Sequence, residues 1–176
     1  ILLVDDQPNN LLALESILAE GGQNLVKAHS GRAALRHLLE TDFAVILLDV
    51  QMPEMDGFET ATLIRQRDRS RDTPIIFLTA LSRSETNVFR GYELGAVDYI
   101  FKPFHAEILS SKVNVFVELF RKREALKRQA QAFARRLTEL GVRHEVVALE
   151  GAPHGMENWE GHTDWMTYKR RMIEWI

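Results

Sequence analysis

Cysteine is absent from this 176-residue chain, which excludes disulfides and thiolate metal sites and fits a reducing, cytoplasmic setting. No apolar run reaches the roughly 18 residues that a membrane span needs, so no membrane partner is expected. Ile1-Leu2-Leu3-Val4 is preceded by neither an initiator Met nor a basic leader, and the sequence reads as a trimmed piece of something longer. With only five prolines and ten glycines beside 45% hydrophobic and 27% charged residues, neither a disordered nor a fibrous class is indicated. The chain is long enough to bury a real core, as one ordinary domain with residues to spare or as two small units.

The net charge of −3 is unevenly spread. Residues 1–120 carry 11 Lys/Arg against 17 Asp/Glu, whereas residues 121–140 carry 7 against 2. A basic stretch of this kind could touch nucleic acid, but it lacks a recognisable reading head, and a solvated helix face is the simpler account.

Short apolar runs alternate with amphipathic stretches through the first 120 residues, the pattern of repeated strand-helix units around a parallel sheet. Strands are expected at Ile1–Val4, Leu25–Ala28, Ala44–Leu48, Ile75–Leu78 and Tyr99–Phe101. Their unbroken Val, Ile, Leu and Phe content suits a sheet covered by helices on both faces. Helical spacing joins Leu11, Leu14, Ile17 and Leu18; Ala34, Leu35, Leu38 and Leu39; Thr62, Leu63 and Ile64; and Val88, Tyr92 and Leu94. A fifth helix is expected after Phe104. Ser30 stands where a helix should start, and Gly21-Gly22 and Gly95 stand where helices should end.

In an open doubly wound sheet, ligands sit beyond the carboxyl ends of the strands. Every polar candidate lies there: Asp5-Asp6 after strand one, Asp49 after strand three, Thr79-Ala80 after strand four, Lys102-Pro103 after strand five. If strands one and three are neighbours, three carboxylates converge, and at an effective dielectric of about 20 each pair at 4 Å repels by roughly 4 kcal/mol. A hard divalent cation with oxygen ligands, Mg²⁺, resolves that repulsion. A lone Asp would be read as a helix cap facing water; four strand ends in register argue for a site.

Taken in order, Ile1–Asp6, the segment Leu47–Gly57 centred on Asp49, Thr79-Ala80 and Gly95–Phe104 with its Lys102-Pro103 resemble the receiver domains of response regulators in two-component systems. The resemblance implies a flavodoxin-like five-stranded sheet of order 2-1-3-4-5 over residues 1–120. It implies that Asp49 accepts a phosphoryl group from a histidine kinase or phosphotransfer protein, in a phosphorelay rather than as a turnover enzyme. Asp6, Asp49 and the backbone carbonyl of Gln51 would hold Mg²⁺, with Asp5 acting through water. Lys102 would reach the phosphoryl group, aimed by a cis bond to Pro103. Thr79 would hydrogen-bond the phosphoryl oxygen while Tyr99 swings inward, and Gln51 and Ala80 would tune the lifetime of the aspartyl phosphate. Met52–Gly57 reads as a turn into a helix, with Gly57 present for backbone freedom.

Residues 121–140 continue the fifth helix. Leu119, Leu126, Phe133 and Leu140 recur every seventh residue, with Phe116, Arg123, Ala130 and Leu137 at the companion position. This seam suits a homodimer through the long helix, weakened by Arg123. Residues 141–176 form a third segment. From Gln129 to Ile176 the chain is similar to the last helix, strand and helix of an α/β-hydrolase, with His154 at the place of the catalytic base. An esterase-like reading through His154 is the alternative function. It lacks a Gly-x-Ser-x-Gly elbow and an acidic partner, so a fusion relic, a chimera and a coincidental unit stay equally open. Glu145–Leu149 reads as a strand needing a partner, either the edge of the first sheet or the same strand in a second copy, which makes this C-terminal strand the alternative homodimer surface, with Trp159, Trp165 and Trp175 to cover it. His154, Glu157, His162 and Asp164 lack the spacing of a metal site.

Overall fold

The computed structural model describes residues 1–80, 98–142 and 144. The chain divides into two units, Ile1–Ala125 and Leu126–Ile176.

In the first unit, β1 (Leu2–Val4), β2 (Val26–Ala28), β3 (Ile46–Asp49), β4 (Ile75–Thr79) and β5 (Asp98–Phe101) form one parallel sheet of order β2-β1-β3-β4-β5. The register pairs Val4 with Ala28 and with Leu48, Asp49 with Leu78, and Thr79 with Phe101. All five strands stand within two residues of their expected bounds. β3 and β4 run on through Asp49 and Thr79 because the ladder continues, with Val50 N–H donating to Leu78 O at 3.1 Å.

Alternation along the strands splits the core in two. Val4, Ile46, Leu48, Ile75, Phe77 and Tyr99 pack with α2 (Gly31–Glu40) and α3 (Gly57–Arg65). Leu3, Val45, Leu47, Ile76, Leu78 and Ile100 pack with α1 (Pro8–Leu18) and with Leu109, Val113 and Val117 of α4 (Ala106–Glu139). Both faces are buried, so the strands carry no polar alternation. Phe77 sits between Phe58 and Tyr99, with ring centroids 5.0 and 5.2 Å away. Each such buried side chain contributes about 1.5–3 kcal/mol by leaving water.

Local signals set the helix limits. Pro8 opens α1, and a 3-10 turn over Ala19–Gly21 leads to Gly22 at φ 63°, the left-handed stop that glycine allows. Ser30 Oγ accepts from Ala33 N–H to start α2, and Asp56 Oδ1 accepts from Glu59 N–H at 2.7 Å to start α3. Two carbonyls at the end of α2 are met from a distant loop, Arg69 donating to Leu39 O and Glu40 O while pairing with Asp42, and from the same loop Arg67 donates to Leu35 O in the middle of the helix. Gly57 corrects the reading of its role. It is not at positive φ; a Cβ there would stand 2.3 Å from the Asp49 carbonyl oxygen and 2.8 Å from Val50 Cα, so close approach, not backbone freedom, excludes a side chain.

In the second unit the described residues are Leu126–Val142 and His144. They finish α4 at Glu139, after which the chain turns at Gly141 (φ 67°), with Gly141 N–H bonded to Thr138 O and Val142 N–H to Leu137 O. Leu126, Phe133 and Leu140 are all exposed. The expected helix around Val88–Leu94, the strand Glu145–Leu149, His154 and the three Trp lie outside the described residues. Among the described residues no helix is long and apolar enough to cross a membrane.

Candidate functional site

The sheet order makes β1 and β3 neighbours, which brings Asp5 and Asp6 beside Asp49. One carboxylate oxygen from each of the three lies within 4.8 Å of the others. Asp5 is 0% exposed and Asp49 5%. β5 delivers Lys102 to the same place: Lys102 N–H donates to Thr79 O at 2.7 Å, and the Lys102–Pro103 peptide is cis, as expected. Its Nζ donates to Asp5 Oδ2 at 2.9 Å and to Asp49 Oδ1 at 2.8 Å.

Burial raises the Asp49 pKa, and the negative charges of Asp5 and Asp6 add to the rise while Lys102 opposes it. Burial pulls the Lys102 pKa down, but its hydrogen bonds and charge attraction to Asp49 and Asp5 outweigh that and hold it above the ordinary lysine value. Lys102 therefore stays cationic at neutral pH. One ammonium against three carboxylates leaves a cluster about two charges negative in a poorly solvated place.

The donor set is all oxygen, and Asp6 Oδ1 is buried with no hydrogen-bond partner. A buried carboxylate oxygen left open costs free energy unless something positive meets it. Both features fit a hard divalent cation such as Mg²⁺, with Asp6 and Asp49 as the open oxygens. Asp5 is differently engaged: Oδ1 accepts from Gln7 N–H at 2.9 Å, and Asn10 Nδ2 lies 3.0 Å from both of its oxygens.

Thr79 is buried at the end of β4, and Tyr99 is buried on β5 against Phe77. Gln51 and Ala80 are exposed in the loops that follow β3 and β4. The structure thus gathers Asp5, Asp6, Asp49 and Lys102, and sets Thr79 at the neighbouring strand end. Sequence reading missed Asn10; its signal was a position in the first turn of the helix after β1, five residues past Asp5.

Residues 1–114 match the family described as the response regulator receiver domain. A probable cyclic di-GMP phosphodiesterase of Vibrio cholerae is 38% identical over 129 residues, 73% of this chain and 29% of that protein. The transcriptional regulatory protein SrrA of Staphylococcus aureus is 36% identical over 139 residues, 79% of this chain and 55% of that one. The chain thus spans between about a third and a half of the length of these two relatives. Among solved structures, the receiver domain of the sensor histidine kinase PA1611 of Pseudomonas aeruginosa, with a magnesium ion coordinated in its active-site cleft, matches at TM-score 0.61 and 29% identity, over 66% of this chain and 95% of that one.

Proposed function

This chain belongs to the response regulator receiver family, and from that premise we propose that it carries a signal by accepting a phosphoryl group on Asp49 from a histidine kinase or phosphotransfer protein. The observation that supports this most is the placing of Lys102 Nζ between Asp5 and Asp49, in a carboxylate cluster where Asp6 Oδ1 has no partner.

Asp6 and Asp49, with the carbonyl of Gln51, would hold Mg²⁺, and Asp5 would act through water. A divalent ion held by these residues would supply charge neutralisation for the transferring phosphoryl oxygens. A carboxylate oxygen of Asp49 attacks the phosphorus of the donor; the phosphorus–nitrogen bond of a phosphohistidine breaks, its electron pair returns to the imidazole, and an acyl phosphate forms. The positive charge of Lys102 passes from the Asp49 carboxylate to the new phosphoryl oxygens. Thr79 donates its hydroxyl to one of them, and Tyr99 follows into the space so vacated. Gln51 and Ala80 flank the group and set its lifetime against water.

On this reading the chain is a phosphoprotein whose own chemistry stops at phosphorylation and slow dephosphorylation, and it works in the cytoplasm. Two copies pair through α4, a reading supported by the exposed Leu126, Phe133 and Leu140 at seven-residue spacing.

The test is intact-mass spectrometry after incubation with acetyl phosphate and Mg²⁺. A gain of one phosphoryl mass in the wild type and none in Asp49→Asn is expected. No gain in the wild type, where a known receiver is labelled in parallel, overturns the assignment.

A further inference from the structure

Asp5 is the most deeply buried of the three carboxylates, and it is also the one saturated by the chain's own donors. Gln7 N–H meets Oδ1 at 2.9 Å, Lys102 Nζ meets Oδ2 at 2.9 Å, and Asn10 Nδ2 lies 3.0 Å from each oxygen. Three donors reach one carboxylate from the bend after β5, from the loop after β1 and from the first turn of α1. Asp49 accepts from Lys102 on one oxygen, while Asp6 Oδ1 has no partner.

We propose that Asn10 is a positioning residue of the acidic pocket, acting through Asp5. This rests on the receiver reading given above. Gln7 and Lys102 each hold one oxygen of Asp5, but two single contacts leave the carboxylate free to rock about its Cβ–Cγ bond. An amide nitrogen placed against both oxygens removes that freedom. The plane of Asp5 is then fixed with Oδ2 toward Lys102, and Asp6 and Asp49 keep the oxygens open to a cation.

The residue type suits the task. Asparagine offers donors without a charge, so it steadies Asp5 without repelling the cation as a second lysine would. An aspartate at this place would face Asp5 with acceptors alone. Gln7, at the helix start, makes no side-chain cap, so the first turn of α1 is anchored to the pocket through Asp5 and Asn10 instead.

Outer partners of a metal-binding carboxylate are worth about 10–100-fold in metal affinity or activity. Isothermal titration of the full chain with Mg²⁺ is expected to show the dissociation constant rise about tenfold in Asn10→Ala. Asn9→Ala, an exposed neighbour in the same turn, stays within about twofold of wild type under the same rule. Circular dichroism melts of both variants that match the wild type show that the fold is intact. The second readout is the ¹⁵N signal of the Asn10 side-chain amide, which should move during the Mg²⁺ titration with the calorimetric constant and lose that response in Asp5→Asn. An Asn10→Ala affinity within about twofold of wild type, or an amide signal that stays still while Mg²⁺ binds, overturns the proposal. Neither readout requires phosphoryl transfer. A chain that binds Mg²⁺ as described but gains no phosphoryl mass sinks the functional reading alone; full phosphorylation with an indifferent Asn10 sinks this inference alone.

Discussion

Replacing Asp6 by asparagine removes one charge from a cluster in which three carboxylates share a single ammonium. With oxygens up to 4.8 Å apart, each carboxylate pair repels by about 3.5 kcal/mol at an effective dielectric of 20. Asp6 faces two such neighbours that share the single ammonium of Lys102 between them, so about one pairwise repulsion is left over. Asp6 is half-buried, and solvent screening brings the residue to about 1–2 kcal/mol. The side chain keeps its shape, and its Oδ1 has no partner to lose. Asp6→Asn is therefore expected to be about 1–2 kcal/mol more stable than the wild type without metal, an inversion of the usual sign for a half-buried substitution. The assay is urea denaturation in EDTA and again in excess Mg²⁺. Ligand linkage stabilises the wild type as Mg²⁺ rises, whereas the variant, with a carboxylate ligand gone, gains little. Loss of stability in EDTA, or equal gains from Mg²⁺ in both proteins, would refute the reasoning.

Other expectations follow from the same geometry. Because burial, reinforced by Asp5 and Asp6, raises the Asp49 pKa above 3.8, the ionised group costs stability at neutral pH; the metal-free advantage of Asp49→Asn should be fully present above the raised value and shrink as pH falls through it, measured by urea midpoints across that range. Gly57→Ala places a Cβ 2.3 Å from the Asp49 carbonyl oxygen, so a loss of about 1–3 kcal/mol and slower phosphoryl uptake are expected together, read by melting and by intact mass. Phe77→Ala empties the centre of one core layer and should cost about 3–5 kcal/mol in urea denaturation. The pairing of copies proposed through α4 predicts that Phe133→Glu, a change at an exposed position of that helix, lowers the sedimentation coefficient to that of a single chain in analytical ultracentrifugation.

Much of the architecture was legible because the physics is local. A parallel sheet buried on both faces needs unbroken apolar strands, and Ile75–Thr79 or Ile46–Asp49 cannot be read as much else. Ser30 was legible as a cap because its side chain reaches only three residues ahead. Gly57 was misread because its constraint is not in its own dihedral angles but in the backbone of Asp49 and Val50 lying against it. Arg67 and Arg69 carried no signal, since the carbonyls they meet on α2 are about 30 residues away in the chain.

The candidate site divides the same way. Asp5, Asp6, Asp49, Thr79 and Lys102 could be placed at strand ends from the chain alone, because alternating apolar and amphipathic segments mark the ends of strands with little reference to the rest of the molecule. The folded sheet was needed to bring Lys102 onto Asp5 and Asp49 across 97 and 53 residues, to leave Asp6 with an oxygen without a partner, and to set Asn10 against Asp5. The two differ in range. Strand and helix formation answer to neighbours a few residues away, whereas the charge balance of a buried pocket is set by which strand ends the sheet order brings together.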